Sequence, residues 1–247
     1  MIRRLLNGAL LLTLVIAPLL PAFNTPSRTP VAHAVEYTPL NNNRPKDFAI
    51  IRQGATWHVF AIYCDLTVGC DSLRRGLMHL TSTDLTHWTE VGYVLPPDNG
   101  SSWDSYDIWA PSIVERDGTY YMYYTGVQKN GSNTLVQKIG LATSTDLYTW
   151  TKSGSNPVVD CSTFTWGVYY NTADSGDGAA CRDANVTWDP NEHQWVMSLS
   201  TRRTGSTPAN IMTIALATSE NLTSWRQYNY IAATDDFTSE SSHIFTH

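Results

Sequence analysis

One ten-residue segment occurs three times in the chain, and this repeat constrains the fold more than any other feature. The copies read HLTSTDLTHW, LATSTDLYTW and LATSENLTSW, at residues 79–88, 141–150 and 216–225. Each copy follows two β-branched and aromatic runs joined by a short turn, such as Asp117-Gly118, that suits a hairpin. Each unit therefore predicts four short antiparallel strands, and a recurrence of about 60 to 75 residues is typical of β-propeller blades.

The tryptophan that ends each copy has a structural explanation. We expect these three side chains to pack between adjacent blades and assign them no catalytic role; they are Trp88, Trp150 and Trp225. A β-sandwich is the alternative all-β fold, but it does not predict a corner segment repeated this closely. The predicted fold class is therefore all-β, a five-bladed propeller of which this chain holds about three blades and the start of the fourth.

The first 34 residues resemble a secretory signal peptide. Arg3 and Arg4 precede an apolar run, and Ala32-His33-Ala34 has the small-x-small form of a cleavage site. A membrane anchor is the alternative, but the run is shorter than the ~20 residues that a spanning helix needs. The sequence predicts export to a secreted or extracytoplasmic location, with residues 35–247 as the mature part and no membrane association after cleavage.

Charge and cysteine content narrow the functional classes. The chain has 16 basic and 22 acidic residues, and cleavage after Ala34 would remove three arginines and no acid. An acidic protein without a basic face is a poor binder of nucleic acid. Four cysteines in an oxidising compartment predict disulfides rather than metal binding. Proximity favours two pairs among the three possible connectivities: Cys64 with Cys70, and Cys161 with Cys181.

Carboxylates recur at one register position of the repeat. The first strand of every propeller blade lines the central channel, so equivalent positions converge there. The position three residues before the apolar pair of each first strand holds Asp47, Ala110 and Asp183. Glu240 takes the same register in the incipient fourth blade if His243-Ile244 is the pair. A calcium site and acids without a role are the alternatives, but a proton donor beside a second carboxylate is what glycosidic cleavage requires.

Four short segments extend this pattern into a family resemblance. The segments are Lys46-Asp47-Phe48, Trp109-Ala110-Pro111, Arg182-Asp183-Ala184 and Glu240-Ser241-Ser242-His243. In this order they resemble the motifs that open blades one to four in the five-bladed propeller glycoside hydrolases of families 43 and 32. The second segment resembles the arabinan- and xylan-cleaving members, and the third resembles the fructan-cleaving members. Phe48 and Ala184 depart from the pattern, because proline is usual after both aspartates.

The resemblance implies a role for each of these residues. Asp47 would be the nucleophile or general base, Glu240 the general acid, and Asp183 the residue that holds the sugar and stabilises the transition state. Substrate contacts are expected from Trp103, Trp109, Arg182 and His243; packing or loop anchoring is the alternative for the two tryptophans, and a structural role is the alternative for His243. The implied substrate is an oligosaccharide or polysaccharide containing furanosides, of the arabinan, arabinoxylan or fructan type. No cofactor is expected, and the sequence predicts no oligomeric state.

Other functions on the same fold stay open at this point. They are a carbohydrate-binding propeller without catalysis, a phosphorylase or transglycosylase, and a protein-interaction propeller. Length adds a further expectation, since a closed five-bladed ring needs about 300 residues and 213 follow Ala34. We therefore expect the chain to be the N-terminal part of a propeller domain, and this exact chain to be inactive or poorly folded.

Overall fold

A computed structural model describes residues 43–65, 76–131, 134–165, 176–202, 212–231 and 241–244. All of them belong to the unit Glu36–His247. The predicted signal segment, Cys70 and Glu240 lie outside the described residues, so the signal peptide, the Cys64–Cys70 pair and the catalytic role of Glu240 stay predictions. No helix in the described ranges is long and apolar enough to cross a membrane.

Three antiparallel sheets follow one another along the chain, each with its strands in sequence order. The first contains β1 (Asn43–Gln53), β2 (Thr56–Asp65), β3 (Leu77–Ser82) and β4 (Thr89–Val94). The second contains β5 (Asp107–Arg116), β6 (Thr119–Lys129), β7 (Thr134–Ser144) and β8 (Thr151–Lys152), and the short strand β9 (Gly176–Ala179) pairs in parallel with β7. The third contains β10 (Cys181–Asp189), β11 (Gln194–Arg202), β12 (Met212–Ser219) and β13 (Arg226–Ile231). The prediction of four-stranded antiparallel units is confirmed.

The repeated segment forms the same corner in every sheet. In the second sheet the Ser144 hydroxyl accepts the amide N–H of Leu147 at 2.8 Å, and the Asp146 carboxylate accepts two further amides. These side-chain acceptors replace the backbone partners that the chain loses where it leaves the third strand. The central leucine has a positive φ in all three copies: 63° at Leu85, 66° at Leu147 and 67° at Leu222.

The corners join neighbouring sheets. Trp150 of the second sheet meets Phe60 of the first edge-on, with ring centroids 5.5 Å apart. Trp225 of the third sheet meets Tyr123 of the second in the same way, also at 5.5 Å. The prediction that these two tryptophans pack between sheets is confirmed, whereas Trp88 packs against an apolar cluster on its own sheet.

A disulfide links the segment that follows β8 of the second sheet to the first strand of the third sheet. Cys161 begins a short 3₁₀ helix, Cys161–Thr163, and bonds to Cys181, the first residue of β10. This pairing confirms one half of the predicted connectivity. Both cysteines are buried in the apolar cluster between the two sheets.

Candidate active site

The first strands of the three sheets lie side by side, since β5 contacts both β1 and β10. Together they surround a cavity of about 480 Å³. The same four-residue stretch of each first strand lines it, and a separate segment completes the wall: residues 47–50, 110–113, 183–186 and 241–243. The predicted convergence of equivalent positions is therefore observed.

A β-bulge sets the direction of the side chains at this cavity. In each first strand the pairing register slips by one residue, between Lys46 and Phe48, Trp109 and Ser112, and Arg182 and Asn185. The residue in the left-handed region at each slip is Asp47 (φ 44°), Ala110 (φ 40°) and Asp183 (φ 57°). Non-glycine residues adopt this region at an energetic cost, and bulges that carry it commonly redirect a side chain next to a functional site.

The two aspartates differ in their surroundings. The Asp47 side chain is 33% exposed and lies 3.7 Å from the Lys46 ammonium, measured from Oδ2 to Nζ. The Asp183 side chain is only 11% exposed, and its Oδ2 lies 3.7 Å from Nε of the buried Arg182. Arg182 also donates from Nη1 to Oε1 of Gln137 on β7 at 3.2 Å. Each carboxylate thus has a cation from the preceding residue, and Asp183 is the more firmly held of the two.

Segment 241–244 forms the fourth side of the cavity and corrects the predicted register. Ser241 has a positive φ of 51°, as Asp47 and Asp183 do. Three residues after Asp183, the N–H of Val186 donates to a side chain of β5. Three residues after Ser241, the N–H of Ile244 donates in the same way to a side chain of β10. Ser241, rather than Glu240, is therefore the structural equivalent of the two aspartates. The expectation that Glu240 shares their register is wrong, because the apolar pair is Ile244-Phe245 and not His243-Ile244.

The four residues predicted to contact substrate differ in whether they line the cavity. His243 is exposed and lines the cavity, whereas Trp103, Trp109 and Arg182 are not among the lining residues. The Trp109 indole donates to Oδ2 of Asp107 at 2.9 Å. Its expected contact with a substrate, like that of Arg182, stays a prediction.

Trp103 packs against the second sheet, in agreement with the loop-anchoring alternative. Its ring stacks on Tyr124, with centroids 5.9 Å apart, and covers Gly126 and Gly140, where an added Cβ would overlap it. Trp103 therefore holds residues 96–106 against the second sheet, and its expected contact with a substrate stays a prediction.

The cavity combines carboxylates with apolar surface. Phe48, Ile50, Ala110 and Pro111 provide apolar walls beside Asp47 and the other polar groups. Sequence reasoning missed Ser112 and Asn185, which lie two residues after Ala110 and Asp183. Ser112 bonds across to β10, and Asn185 bonds to segment 241–244. Their position in the repeat was the available signal. Within the described ranges no group of three or more His, Cys, Asp or Glu side chains is arranged to hold a metal ion.

Comparison with known proteins gives a family match over nearly all of this region. Residues 42–245 match the family described as Glycosyl hydrolases family 32 N-terminal domain. A probable arabinan endo-1,5-alpha-L-arabinosidase C of Aspergillus clavatus is 41% identical over 106 residues, which is 40% of this chain and 30% of that protein. A probable arabinan endo-1,5-alpha-L-arabinosidase A of Aspergillus flavus is 41% identical over 101 residues, or 38% of this chain and 28% of that protein. The matches thus span less than a third of these curated relatives.

Solved structures with the same fold come from both families of the resemblance. Fructan 1-exohydrolase IIa from Cichorium intybus aligns with a TM-score of 0.56 and 20% identity over 78% of this chain and 33% of that chain. A thermostable family-43 glycoside hydrolase aligns with a TM-score of 0.54 and 17% identity over 78% of this chain and 55% of that chain. The all-β fold predicted from the repeat, part of a propeller, is confirmed.

Proposed function

Since the chain belongs to the family of glycosyl hydrolases family 32 N-terminal domains, we propose that the full-length protein is an exported glycoside hydrolase acting on furanoside-containing glycans. The observation that carries the proposal is the pair Asp47 and Asp183, presented by equivalent bulges to one cavity. A propeller that only binds other proteins would not require two aspartates at equivalent bulges of one cavity. Relatives named for arabinan and for fructan cleavage support these two substrate types.

The proposed mechanism divides the work among three carboxyl groups. Glu240 protonates the glycosidic oxygen as the bond breaks, and Asp47 attacks the anomeric carbon or activates a water molecule. Asp183 holds the sugar and stabilises the positive charge that develops on the ring. The lower exposure of Asp183 and its Arg182 partner suit a fixed orienting group, while the more exposed Asp47 suits a group that meets the substrate.

The cavity supports a sugar ligand by its size and lining. A volume of about 480 Å³ lies within the range of small-ligand sites. Apolar groups such as Phe48 and Pro111 offer a surface for the C–H face of a ring, and His243 and the serines offer hydrogen bonds to hydroxyls. Export is supported by the Cys161–Cys181 disulfide, because such bonds persist in oxidising compartments.

The test is removal of the general acid in the full-length protein. We expect Glu240→Gln to lower kcat on arabinan, arabinoxylan, levan or inulin by about 100- to 10,000-fold, the usual contribution of a general acid. Asp47→Asn and Asp183→Asn should also abolish most turnover. Glu192→Gln is the matched control, because Glu192 is exposed in the β10–β11 turn, away from the cavity, and should leave release of reducing sugar unchanged.

Each alternative gives a different result. Unchanged turnover in Glu240→Gln contradicts the assignment of the acid. Glycan binding without hydrolysis by the wild-type protein identifies a carbohydrate-binding propeller. Turnover that rises with added phosphate and yields a sugar phosphate identifies a phosphorylase, and transfer to a second sugar identifies a transglycosylase.

A further inference from the structure

Segment 241–244 belongs to none of the three sheets, yet side chains of the third sheet hold it at the cavity. The Ser241 N–H donates to Oδ2 of Asp183 at 3.3 Å, and the Ile244 N–H donates to Oδ1 of Asn185 at 3.1 Å. The Ser242 hydroxyl donates to Oγ of Ser198 at 2.8 Å, and that hydroxyl in turn donates to the Ser242 carbonyl at 3.4 Å. Both ends of the segment are therefore bonded to β10, and its middle to β11.

Asn185 and Ser198 are neighbours on the third sheet. They are direct cross-strand partners in the pairing of β10 with β11, so both side chains lie on the same face. Ser198 is fully buried, which excludes direct contact with a substrate. A buried hydroxyl that both donates and accepts a hydrogen bond fixes its partner closely, because loss of either bond leaves a polar group unpaired.

A hydrogen bond of the same kind joins the first strands of the second and third sheets, β5 and β10. Oγ of Ser112, two residues after Ala110, accepts the N–H of Val186 on the next first strand at 3.2 Å. Asn185, two residues after Asp183, accepts the equivalent N–H of Ile244. The residue two positions after Asp47 is Ala49, whose side chain has no acceptor. The contact is therefore a recurrent way of joining first strands, present where the third sheet meets the segment that follows Glu240.

We propose that Asn185 and Ser198 are positioning residues that fix the backbone of segment 241–244, and with it the attachment point of the Glu240 side chain. The inference rests on the proposed function of Glu240, whose peptide bond joins it to Ser241. Proton transfer depends steeply on placement, and a displacement of about 1 Å can cost about 100-fold in rate. Asn185 and Ser198 themselves do not react.

A misplaced general acid has a kinetic signature that a general loss of stability lacks. Protonation matters for a sugar or alkyl leaving group and matters little for a dinitrophenyl leaving group, which departs as a stable anion. We therefore expect Asn185→Ala and Ser198→Ala to lower kcat/KM on the glycan at least about 10-fold. On the matching dinitrophenyl furanoside the loss of kcat/KM should stay below about 3-fold, because kcat/KM reports cleavage of the substrate's own glycosidic bond whether Asp47 attacks the sugar or activates water.

Two further variants complete the design. Asn185→Ser places at this position the residue that makes the equivalent contact at Ser112, and should recover most of the glycan activity. Tyr123→Phe is the matched control, because it removes another hydrogen bond between sheets, from the Tyr123 hydroxyl to the Leu222 carbonyl at 2.7 Å, at a residue that does not line the cavity. It should lower the melting temperature without a leaving-group effect.

Hydrogen exchange provides a readout independent of turnover. The Ile244 amide should exchange at least about 10-fold faster in Asn185→Ala than in Tyr123→Phe, since only the former removes its acceptor. Equal losses on both substrates, or an unchanged Ile244 amide, would overturn the inference while leaving the proposed function intact. Unchanged turnover in Glu240→Gln would overturn the proposed function, and the exchange rates would then still decide whether the two residues hold the segment.

Discussion

Two buried histidines share one hydrogen bond in the first sheet. Nδ1 of His58 lies 2.9 Å from Nε2 of His79, and the His79 ring stacks on Phe60 with centroids 4.3 Å apart. Among the described residues the second ring nitrogen of His79 has no hydrogen-bond partner. Burial, and secondarily the proximity of His58, lower the pKa of His79 from 6.5 to about 4, and burial also lowers the pKa of His58.

This pair predicts loss of stability in mild acid. A histidine whose pKa is lower in the folded state stabilises the fold fully above pH 6.5, and the contribution is lost as the pH falls to about 4. The loss should reach about 3 kcal/mol for His79. Urea unfolding at pH 7 and pH 4.5 measures it, and His79→Gln should flatten the difference. His193→Asn, at an exposed turn position with φ 51°, should not; an equal flattening would contradict the assignment.

The residues at the cavity show how far the sequence predicts a site. The repeat placed Asp47, Ala110 and Asp183 correctly, because a β-strand register carries over from one copy to the next. The prediction for the fourth position is wrong by one residue, because it takes His243-Ile244 as the apolar pair although only Ile244-Phe245 is one. The positive φ at each bulge could not be predicted from alanine or aspartate, and it was this dihedral that identified Ser241.

At the scale of elements, the disulfide gives the third sheet its starting point. Cys181 opens β10 two residues before Asp183, and its bond to Cys161 closes a loop with a sequence separation of 20. Closing a loop of this size stabilises a fold by about 3 kcal/mol. We expect Cys161→Ala/Cys181→Ala to lower the free energy of unfolding by about 2 to 4 kcal/mol.

Reductant distinguishes this bond from the other predicted pair. Dithiothreitol should lower the urea midpoint of the wild-type protein by at least as much as the double substitution does. Any effect of dithiothreitol that persists in the double variant reports the Cys64–Cys70 pair, which stays a prediction. A double variant as stable as the oxidised wild type would contradict the expected role of the Cys161–Cys181 bond.

The strands were predictable to different degrees. Those of the three sheets follow from alternation and hairpin turns, for example around Asp117-Gly118 between β5 and β6. β9 reads Gly-Asp-Gly-Ala and has no alternation, so only its backbone pairing with β7 reveals it. Local pattern thus predicted the strands that carry a buried face and missed the one that does not.

At the scale of the whole molecule, the corners determine how the sheets join. Leu147 lies in the cluster that contains Phe60 of the first sheet, and Leu222 lies in the cluster that contains Tyr123 of the second. Both leucines are fully buried, whereas the equivalent Leu85 is 44% exposed. Because the three share one backbone conformation, they form a matched set in which burial between sheets is the main difference.

With this matched set of leucines, the contribution of each junction between sheets to the free energy of unfolding can be measured separately. Leu147→Ala and Leu222→Ala should each lower the free energy of unfolding by about 2 to 5 kcal/mol, the usual cost of a cavity left by a buried leucine. Leu85→Ala should cost less than about 1 kcal/mol, since its side chain removes little apolar area from water. Chemical denaturation of the full-length protein decides the matter. Equal losses at all three positions would show that Leu85 is covered as fully as the others, and would contradict the junctions as the origin of the difference.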